Sequence, residues 1–333
     1  MREFFQRLMN LVRARPRMRD LAYLILGHAR RVRRYVRQTW PGDDPVKDSR
    51  YHAVYVHYDR QGVVHDYVIE QLRQLVTSQF RITFVSNAQQ LRETSVVAVK
   101  PFCRTVIWRR NVGYDFGAYK DGIAALGDLS GCERLLLMND SVYGPLRPLP
   151  EVLAEIDVSR TDVWGITDSW DHHYHIQSYF ILFFQDALES RSFQSFWRRF
   201  PYVNSKAWLI HNGEIRLTQI LTQEKLRAAV LCPYWDVAKS VLAKLEIRSP
   251  EKLAPAHQAF LENLQKQLVH GAPVNPAHFF WETLVNDFKC PFIKRELIQS
   301  NPGGVVYTWR WPEVIGSDGG YDPELIRRHL QAN

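Results

Sequence analysis

The 333-residue sequence is poor in cysteine and contains no long apolar run. Its four cysteines lie far apart and form no C-x-x-C pair, which argues against a disulfide framework and against a zinc site built on cysteine pairs. Few and widely spaced cysteines are typical of proteins in a reducing compartment such as the cytosol. No stretch of about 20 apolar residues is present, so the sequence predicts no membrane-spanning helix. Hydrophobic residues still make up 46% of the chain, which is enough for a large folded core.

Positive charge is concentrated in the first 40 residues. They contain eleven arginines and no lysine, against Glu3 and Asp20, a net charge of +9 in a chain whose total is +8. The remainder is close to neutral, which argues against nucleic acid as a partner. Apolar residues at helical spacing predict two short helices that are broken near Pro16. We expect this arm, residues 1–40, to bind an anionic membrane surface; the alternative is a helix pair that packs on the body or on a protein partner.

Residues 41–50 predict a linker, and strands then alternate with helices. The predicted strands are short apolar runs at 53–58, 81–85, 105–108, 135–138 and 163–167, with a further short strand at 96–99 after a helix that begins at Gln89. This alternation predicts an α/β fold, a Rossmann-like, mostly parallel sheet flanked by helices over residues 51–240. A helical C-terminal part over residues 241–333 is expected to complete the ligand site.

Polar residues follow the predicted strands, among them His57, Asn87, Arg109, Asn139 and Asp168. Parallel strands bring their carboxyl ends to one edge of the sheet, where such folds bind ligands. We therefore expect these side chains to line one crevice and most of them to bind a donor substrate there, with Arg109 neutralising phosphate charge. The alternative is that polar residues simply begin loops.

The loop that follows Arg109 is the most specific of these strand ends. Gly113 and Gly117 predict a close approach of the backbone to a ligand. The helix that begins near Asp115 presents its free N–H groups to the crevice, which predicts a diphosphate site that also includes Asn111. Asp115 would bind sugar or ribose hydroxyls; the alternative is that it only caps the helix.

One carboxylate follows the apolar run 135–138. Asp140 is predicted to ligate a divalent ion, Mg²⁺ or Mn²⁺, on a nucleotide diphosphate, with Asn139 or Ser141 supplying further oxygen ligands. The alternative is that Asp140 is an ordinary turn residue.

Five later residues are candidates for chemistry or donor binding. Glu214 begins a predicted helix, where it would take the proton from an attacking hydroxyl; the alternative is that it complements the helix dipole. Asp168 and His175 are the further catalytic candidates. Gln177 alternates with an apolar residue, as on a strand, and would contact sugar hydroxyls. Lys294 would close over a diphosphate.

Six segments resemble, in order, the rhamnan synthesis protein F family of bacterial polysaccharide-assembly proteins. They are NVGYDFGAYKDG (111–122), LLLMNDSVYGPL (135–146), DVWGITDS (162–169), HIQSYFILF (175–183), EIRLTQIL (214–221) and PFIKREL (291–297). The resemblance implies a GT-A-like glycosyltransferase that moves a sugar from a nucleotide-sugar donor to a bacterial surface polysaccharide (O-antigen, capsule or rhamnan), and the family name suggests rhamnose. The second hypothesis is a non-catalytic glycan-assembly or carbohydrate-binding protein that keeps the fold.

The resemblance also carries implications for single residues. In the GT-A fold a D-x-D motif after a central strand holds the metal, and the matching Asn139-Asp140-Ser141 lacks one acid. Many inverting enzymes of this fold use a carboxylate at the start of a later helix as base, which implies Glu214. A lipid-linked glycan acceptor implies that the enzyme works on the cytoplasmic face of the inner membrane, held there by residues 1–40.

Overall fold

The computed structural model describes residues 35–247, 254–316 and 320–332. The strands of this part of the chain are β1 (Val36–Pro41), β2 (Tyr51–His57), β3 (Phe80–Ser86), β4 (Cys103–Arg109), β5 (Arg134–Asn139), β6 (Val142–Tyr143), β7 (Val163–Ser169), β8 (His175–Ile176), β9 (Phe180–Phe184), β10 (Ala228–Cys232) and β11 (Ile293–Lys294).

Helices alternate with these strands and then dominate the C-terminal part. They are α1 (Asp66–Thr77), α2 (Glu93–Val99), α3 (Tyr114–Leu126), α4 (Leu149–Ala154), α5 (Gln185–Glu189), α6 (Arg191–Arg199), α7 (Lys206–Leu209), α8 (Arg216–Gln223), α9 (Tyr234–Ile247), α10 (Pro255–Val269), α11 (Pro276–Phe279), α12 (Trp281–Asn286), α13 (Arg295–Gln299), α14 (Trp311–Gly316) and α15 (Glu324–Ala332). A π-helix, Ile210–Ile215, joins α7 to α8, and 3₁₀ turns occupy Lys100–Phe102 and Thr308–Arg310.

The main sheet has the order β1-β4-β3-β2-β5-β9-β7-β10, with β8 beside β7. Strands β4, β3, β2 and β5 are parallel, as are β7 and β10, whereas β1 and β9 run antiparallel to their neighbours. The carboxyl ends of β2–β5 and β7 therefore share one edge with the start of β9. The predicted α/β class, a mostly parallel sheet flanked by helices, is confirmed.

Both faces of the sheet are buried because successive side chains of its strands point to opposite sides. In β2, Ala53 and Tyr55 pack with α1, whereas Val54 and Val56 pack with α3. The apolar stripe of α1 explains its position, since Val68, Leu72 and Leu75 are all fully buried. Strands that are covered on two sides need continuous apolar runs, which is why the sequence identified them.

The C-terminal helices belong to the same core as the sheet. Leu264, Trp281 and Ile326 lie in one apolar cluster with Ala53 of β2. The predicted boundary at residue 240 falls inside α9, so it does not separate two bodies. Strand β11 pairs with β6, which brings the segment after residue 290 directly to the carboxyl end of β5.

Two sequence predictions differ from the structure. Residues 96–99 were expected to form a strand but end α2, because Val96 and Val99 are buried one helical turn apart while Val97 is exposed. Residues 36–41 form β1 beside β4. The last residues of the predicted helical arm, 36–40, are therefore a strand, and this strand also includes residue 41, the first residue of the predicted linker. The rest of that arm, residues 1–34, lies outside the described residues.

Candidate functional site

Asp140 occupies the position directly after β5 at the carboxyl edge of the sheet. Its Oδ2 accepts hydrogen bonds from the backbone N–H of Tyr58 at 3.0 Å and from Nη1 of Arg295 at 3.3 Å. The same Nη1 donates to the hydroxyl of Tyr67 at 2.6 Å. Because the Asp140 side chain is only 7% exposed, these donors compensate for the lost hydration of its charge.

Asn139 connects this carboxylate to a second one. Its Nδ2 donates to Oδ2 of Asp115 at 3.1 Å, while its Oδ1 accepts from the backbone N–H and the hydroxyl of Ser141, at 3.1 and 2.5 Å. The cap of α3 is Gly113, in the left-handed region, so Asp115 is not the capping residue. Burial, followed by the charge of Asp140, raises the pKa of Asp115 to about 6.

Lys294 enters the site from β11. Its Nζ lies 3.3 Å from the hydroxyl of Ser141 and 4.3 Å from the ring centre of Tyr179. Burial lowers the pKa of Lys294 to about 8, and the charges of Glu214 and Asp115 oppose that shift. A cation is thus held close to two carboxylates.

The sequence predicted that Glu214 begins an α-helix. In the structure it lies in the π-helix instead. Its Oε1 accepts hydrogen bonds from the backbone N–H of Ser178, at 3.0 Å, and from the Ser178 hydroxyl. In the described part of the chain no hydrogen bond reaches Oε2. Ser178 precedes β9, so Glu214 faces the same edge of the sheet as Asp140, and π-helical turns often occur at functional sites.

A cavity of about 620 Å³ opens beside these residues at the ends of β2, β3 and β4. It is lined by Arg37, Tyr58, Arg60, Asn87, Ala88, Gln89, Arg110, Asn111 and Val112. Three arginines make it suitable for an anion. Asn111 lines the cavity, and its buried Oδ1 has no hydrogen-bond partner within the described residues. Tyr58 lines the cavity, and its backbone N–H also donates to Asp140, so this residue connects the cavity with the charged cluster.

The residues around Asp140 do not fit a divalent ion. A metal on a diphosphate wants one or two free carboxylates, whereas the Asp140 carboxylate is paired with Arg295. The side-chain oxygen of Asn139 is engaged by Ser141. Across residues 35–247, 254–316 and 320–332, no three His, Cys, Asp or Glu side chains are grouped so that they hold a metal. The arrangement instead places two cationic side chains, Arg295 and Lys294, beside the carboxylates.

Arg109 and Asn87, predicted to bind the donor, lie in the interior. Arg109 is fully buried, and it donates to Asp121 and Asn87, both at 2.6 Å, and to the carbonyl of Val112 at 2.8 Å. Asn87 donates to the carbonyl of Tyr114 at 3.1 Å. The expectation that Arg109 faces a phosphate is wrong, because its nitrogens support the 111–115 loop from beneath.

The two glycines of that loop serve its own packing. A Cβ on Gly117 would lie 2.3 Å from the carbonyl oxygen of Val112 and 3.1 Å from Arg109, and a Cβ on Gly113 would meet the backbone of Gly117 at 3.2 Å. The two glycines therefore allow close packing within the loop, whereas the sequence had predicted that they allow close approach to a ligand. His57 is similarly engaged: its ring nitrogens lie 3.1 Å from Ser86 and from the carbonyl of Val63.

Asp168, His175 and Gln177 reach the predicted edge of the sheet, but each is buried with partners of its own. Oδ1 of Asp168 accepts from the backbone N–H of Tyr234 at 2.6 Å and so anchors the start of α9; burial raises the pKa of Asp168. Nδ1 of His175 lies 2.8 Å from a backbone carbonyl. Gln177 accepts from Thr167 at 2.7 Å. These contacts support structural roles for all three side chains, and their roles in catalysis or donor binding stay predictions.

Sequence reasoning missed Arg295, Tyr58 and Ser178. Arg295 had a visible signal, since it follows Lys294 directly. Tyr58 acts through its backbone N–H, and Ser178 through its backbone N–H and its hydroxyl. Residue type does not reveal backbone contacts.

The model of the family "Rhamnan synthesis protein F" matches residues 82–261. Virulence protein VirA of Vibrio anguillarum is 32% identical over 238 residues, which cover 68% of this chain and 74% of VirA. "Uncharacterized protein y4gN" of Sinorhizobium fredii is 33% identical over 172 residues, 50% of this chain but only 44% of that protein, so the match spans less than half of this relative.

The chain belongs to the rhamnan synthesis protein F family, as its motifs had indicated. Among solved structures it is similar to the glycosyltransferase GlyE of Streptococcus pneumoniae TIGR4, with a TM-score of 0.39 and 10% identity over 85% of this chain and 63% of GlyE. Within the described residues no helix has the length and apolar character that crossing a bilayer requires.

Proposed function

We propose that the protein is a glycosyltransferase with a GT-A-like nucleotide-sugar domain. In this proposal it transfers a sugar from a nucleotide-diphosphate donor to a growing bacterial surface polysaccharide. The carrying observation is that two cations, Lys294 and Arg295, meet three carboxylates, Asp115, Asp140 and Glu214, at the carboxyl edge of a mostly parallel sheet. Membership of the family supports the polysaccharide context.

The nucleotide would occupy the arginine-lined cavity, with Asn111 accepting a hydrogen bond from the base or ribose. The diphosphate would then extend past Tyr58 toward Arg295 and Lys294. Their charges would stabilise the leaving diphosphate as the bond to the anomeric carbon breaks. Asp115 would accept a hydrogen bond from a donor hydroxyl.

Glu214 is our candidate for the general base of an inverting displacement. Oε1 is fixed by Ser178, which leaves Oε2 to accept the proton of the acceptor hydroxyl. The hydroxyl oxygen would form the new bond to the anomeric carbon while the diphosphate departs with the bonding electron pair.

The experiment is a thermal-shift screen of the full chain against UDP-, dTDP- and GDP-sugars, with dTDP-rhamnose among them because of the family name. A bound donor at about 100 times its Kd adds about 2.7 kcal/mol of stability. The best ligand is then tested for slow donor hydrolysis. Failure of all nucleotides would contradict the proposal, and binding without hydrolysis or transfer would favour a non-catalytic glycan-assembly protein.

We further propose that the arginine-rich segment before β1, residues 1–34, holds the enzyme on the cytoplasmic face of the inner membrane, near a lipid-linked acceptor. Arginines near an anionic surface contribute about 1 kcal/mol each, and salt screens them. Flotation of the full chain with anionic vesicles at low salt, and its loss when arginines of this segment are changed to glutamine, is the expected result. Indifference to such vesicles would point to a protein partner.

A further inference from the structure

An exposed cluster of aromatic rings lies at the same edge of the sheet as the candidate site. Trp170 follows β7, and its ring centre is 5.2 Å from that of Tyr174 and 5.9 Å from that of Trp235 at the start of α9. Trp170 and Trp235 are 38% and 40% exposed. Soluble proteins seldom expose contiguous large apolar surfaces without a binding function.

The position of this aromatic cluster relates it to the proposed chemistry. Strands β5 and β7 are both neighbours of β9, so their carboxyl ends lie two strand spacings apart, about 10 Å. Trp170 therefore stands close to the edge that carries Asp140. An oligosaccharide that presents one hydroxyl at the site can reach the cluster with its preceding sugar units.

A second contact links the cluster to the candidate base. His172, in the loop between Trp170 and Tyr174, packs against His211 of the π-helix with ring centres 4.9 Å apart. The same π-helix carries Glu214. The aromatic cluster and Glu214 are thus connected through the π-helix.

Resting on the proposed function, we infer that Trp170, Tyr174 and Trp235 form the binding platform for the sugar rings of the acceptor glycan. A sugar ring has an apolar C–H face, which packs on a flat aromatic ring, and hydroxyls at its rim. The rim of the cluster offers matching polar groups in Asp171 and His172, both exposed.

The charge of the platform favours a glycan over a membrane surface. Asp171 and Asp236 flank the two tryptophans in sequence, and the segment 170–175 contains neither lysine nor arginine. Such a patch would be repelled by anionic lipid, whereas carboxylates accept hydrogen bonds from sugar hydroxyls.

The test measures glycan binding directly, without catalysis. The full chain is applied to an array of bacterial surface polysaccharides that includes rhamnans, and its strongest ligand is titrated by calorimetry. We expect Trp170→Ala and Trp235→Ala each to weaken that binding about tenfold and Trp235→Phe to restore most of it. The matched control is Trp309→Ala, which removes a tryptophan that is 66% exposed elsewhere and leaves binding unchanged.

Two further measurements separate the possible failures. Donor binding by thermal shift reports on the proposed function and should be equal in all four variants. Absence of any glycan ligand, or equal glycan binding by wild type and both alanine variants, overturns the platform while the donor site stands. Loss of vesicle flotation in the alanine variants, with glycan binding intact, overturns it in favour of a membrane contact.

Discussion

Arg295 lies against Asp140, with Nη1 3.3 Å from Oδ2, in the position where the sequence had suggested a metal ion. A guanidinium that is already in place neutralises phosphate charge without a dication.

We expect transfer to be insensitive to EDTA and sensitive to Arg295. Arg295→Met should raise the donor Kd on the order of 10- to 100-fold, because a charge-assisted hydrogen bond is lost, and Arg295→Lys should recover part of it. Donor titrations of both variants provide the measurement, and Arg328→Gln, at an exposed arginine, is the control. A rate that EDTA abolishes and Mn²⁺ restores would contradict this prediction.

The pH dependence of kcat/KM should be bell-shaped. Burial raises the pKa of Asp115 to about 6, so the carboxylate is charged only above that pH; burial lowers the pKa of Lys294 to about 8, so the ammonium is charged only below it. If activity needs both charges, kcat/KM rises as the pH passes about 6 and falls as the pH passes about 8. Asp115→Asn should remove the acidic limb and Lys294→Arg should move the alkaline limb upward. A flat profile in the wild type would refute the assignment.

Glu214→Gln should fold normally and lose on the order of 10²–10⁴ in kcat, as expected for a missing general base. Glutamine keeps an oxygen that accepts from Ser178, so the thermal midpoint should stay near that of the wild type. Asp115→Asn should instead raise the KM for the donor. Glu224→Gln, at an exposed carboxylate just beyond α8, serves as the control. An active Glu214 variant would return this residue to a structural role.

Asn111 and Asn87 should respond to alanine in opposite ways. The buried Oδ1 of Asn111 has no partner among the described residues, so Asn111→Ala costs no hydrogen bond through this atom and should leave the thermal midpoint unchanged or higher while weakening donor binding. Asn87 bonds to Arg109 and Tyr114, so Asn87→Ala should lower the midpoint. Calorimetric scans with and without the nucleotide test both; a less stable Asn111 variant would be inconsistent with this interpretation.

Arg109→Met should be a stability variant. It leaves Asp121 without its partner in a buried ion pair, which costs about 3–5 kcal/mol of unfolding free energy. Urea unfolding measures the change. If stability is kept but donor affinity falls, the side chain does reach the phosphates and the buried assignment fails.

The sequence predicted most strands of the sheet, because parallel strands that are buried on both faces need apolar runs. The run Leu135–Met138 of β5 is one example. The sequence also predicted that Asp115 and Asp140 lie together, since a sheet edge gathers the residues that follow its strands. It failed for Arg109, whose partner Asp121 lies twelve positions further along on α3. An arginine at a strand end looks the same in sequence whether it points into the crevice or beneath the loop, and only the packing of α3 decides.

The pairing of β11 with β6 has a consequence for biosynthesis. Asp140 is synthesised long before Arg295, so the sheet of the nascent chain contains this carboxylate before its ion-pair partner exists. Because chains begin to fold from the N-terminus during synthesis, the candidate site would remain incomplete until about the last tenth of translation. A nascent or prematurely terminated chain would therefore contain the whole sheet yet be unable to hold a donor.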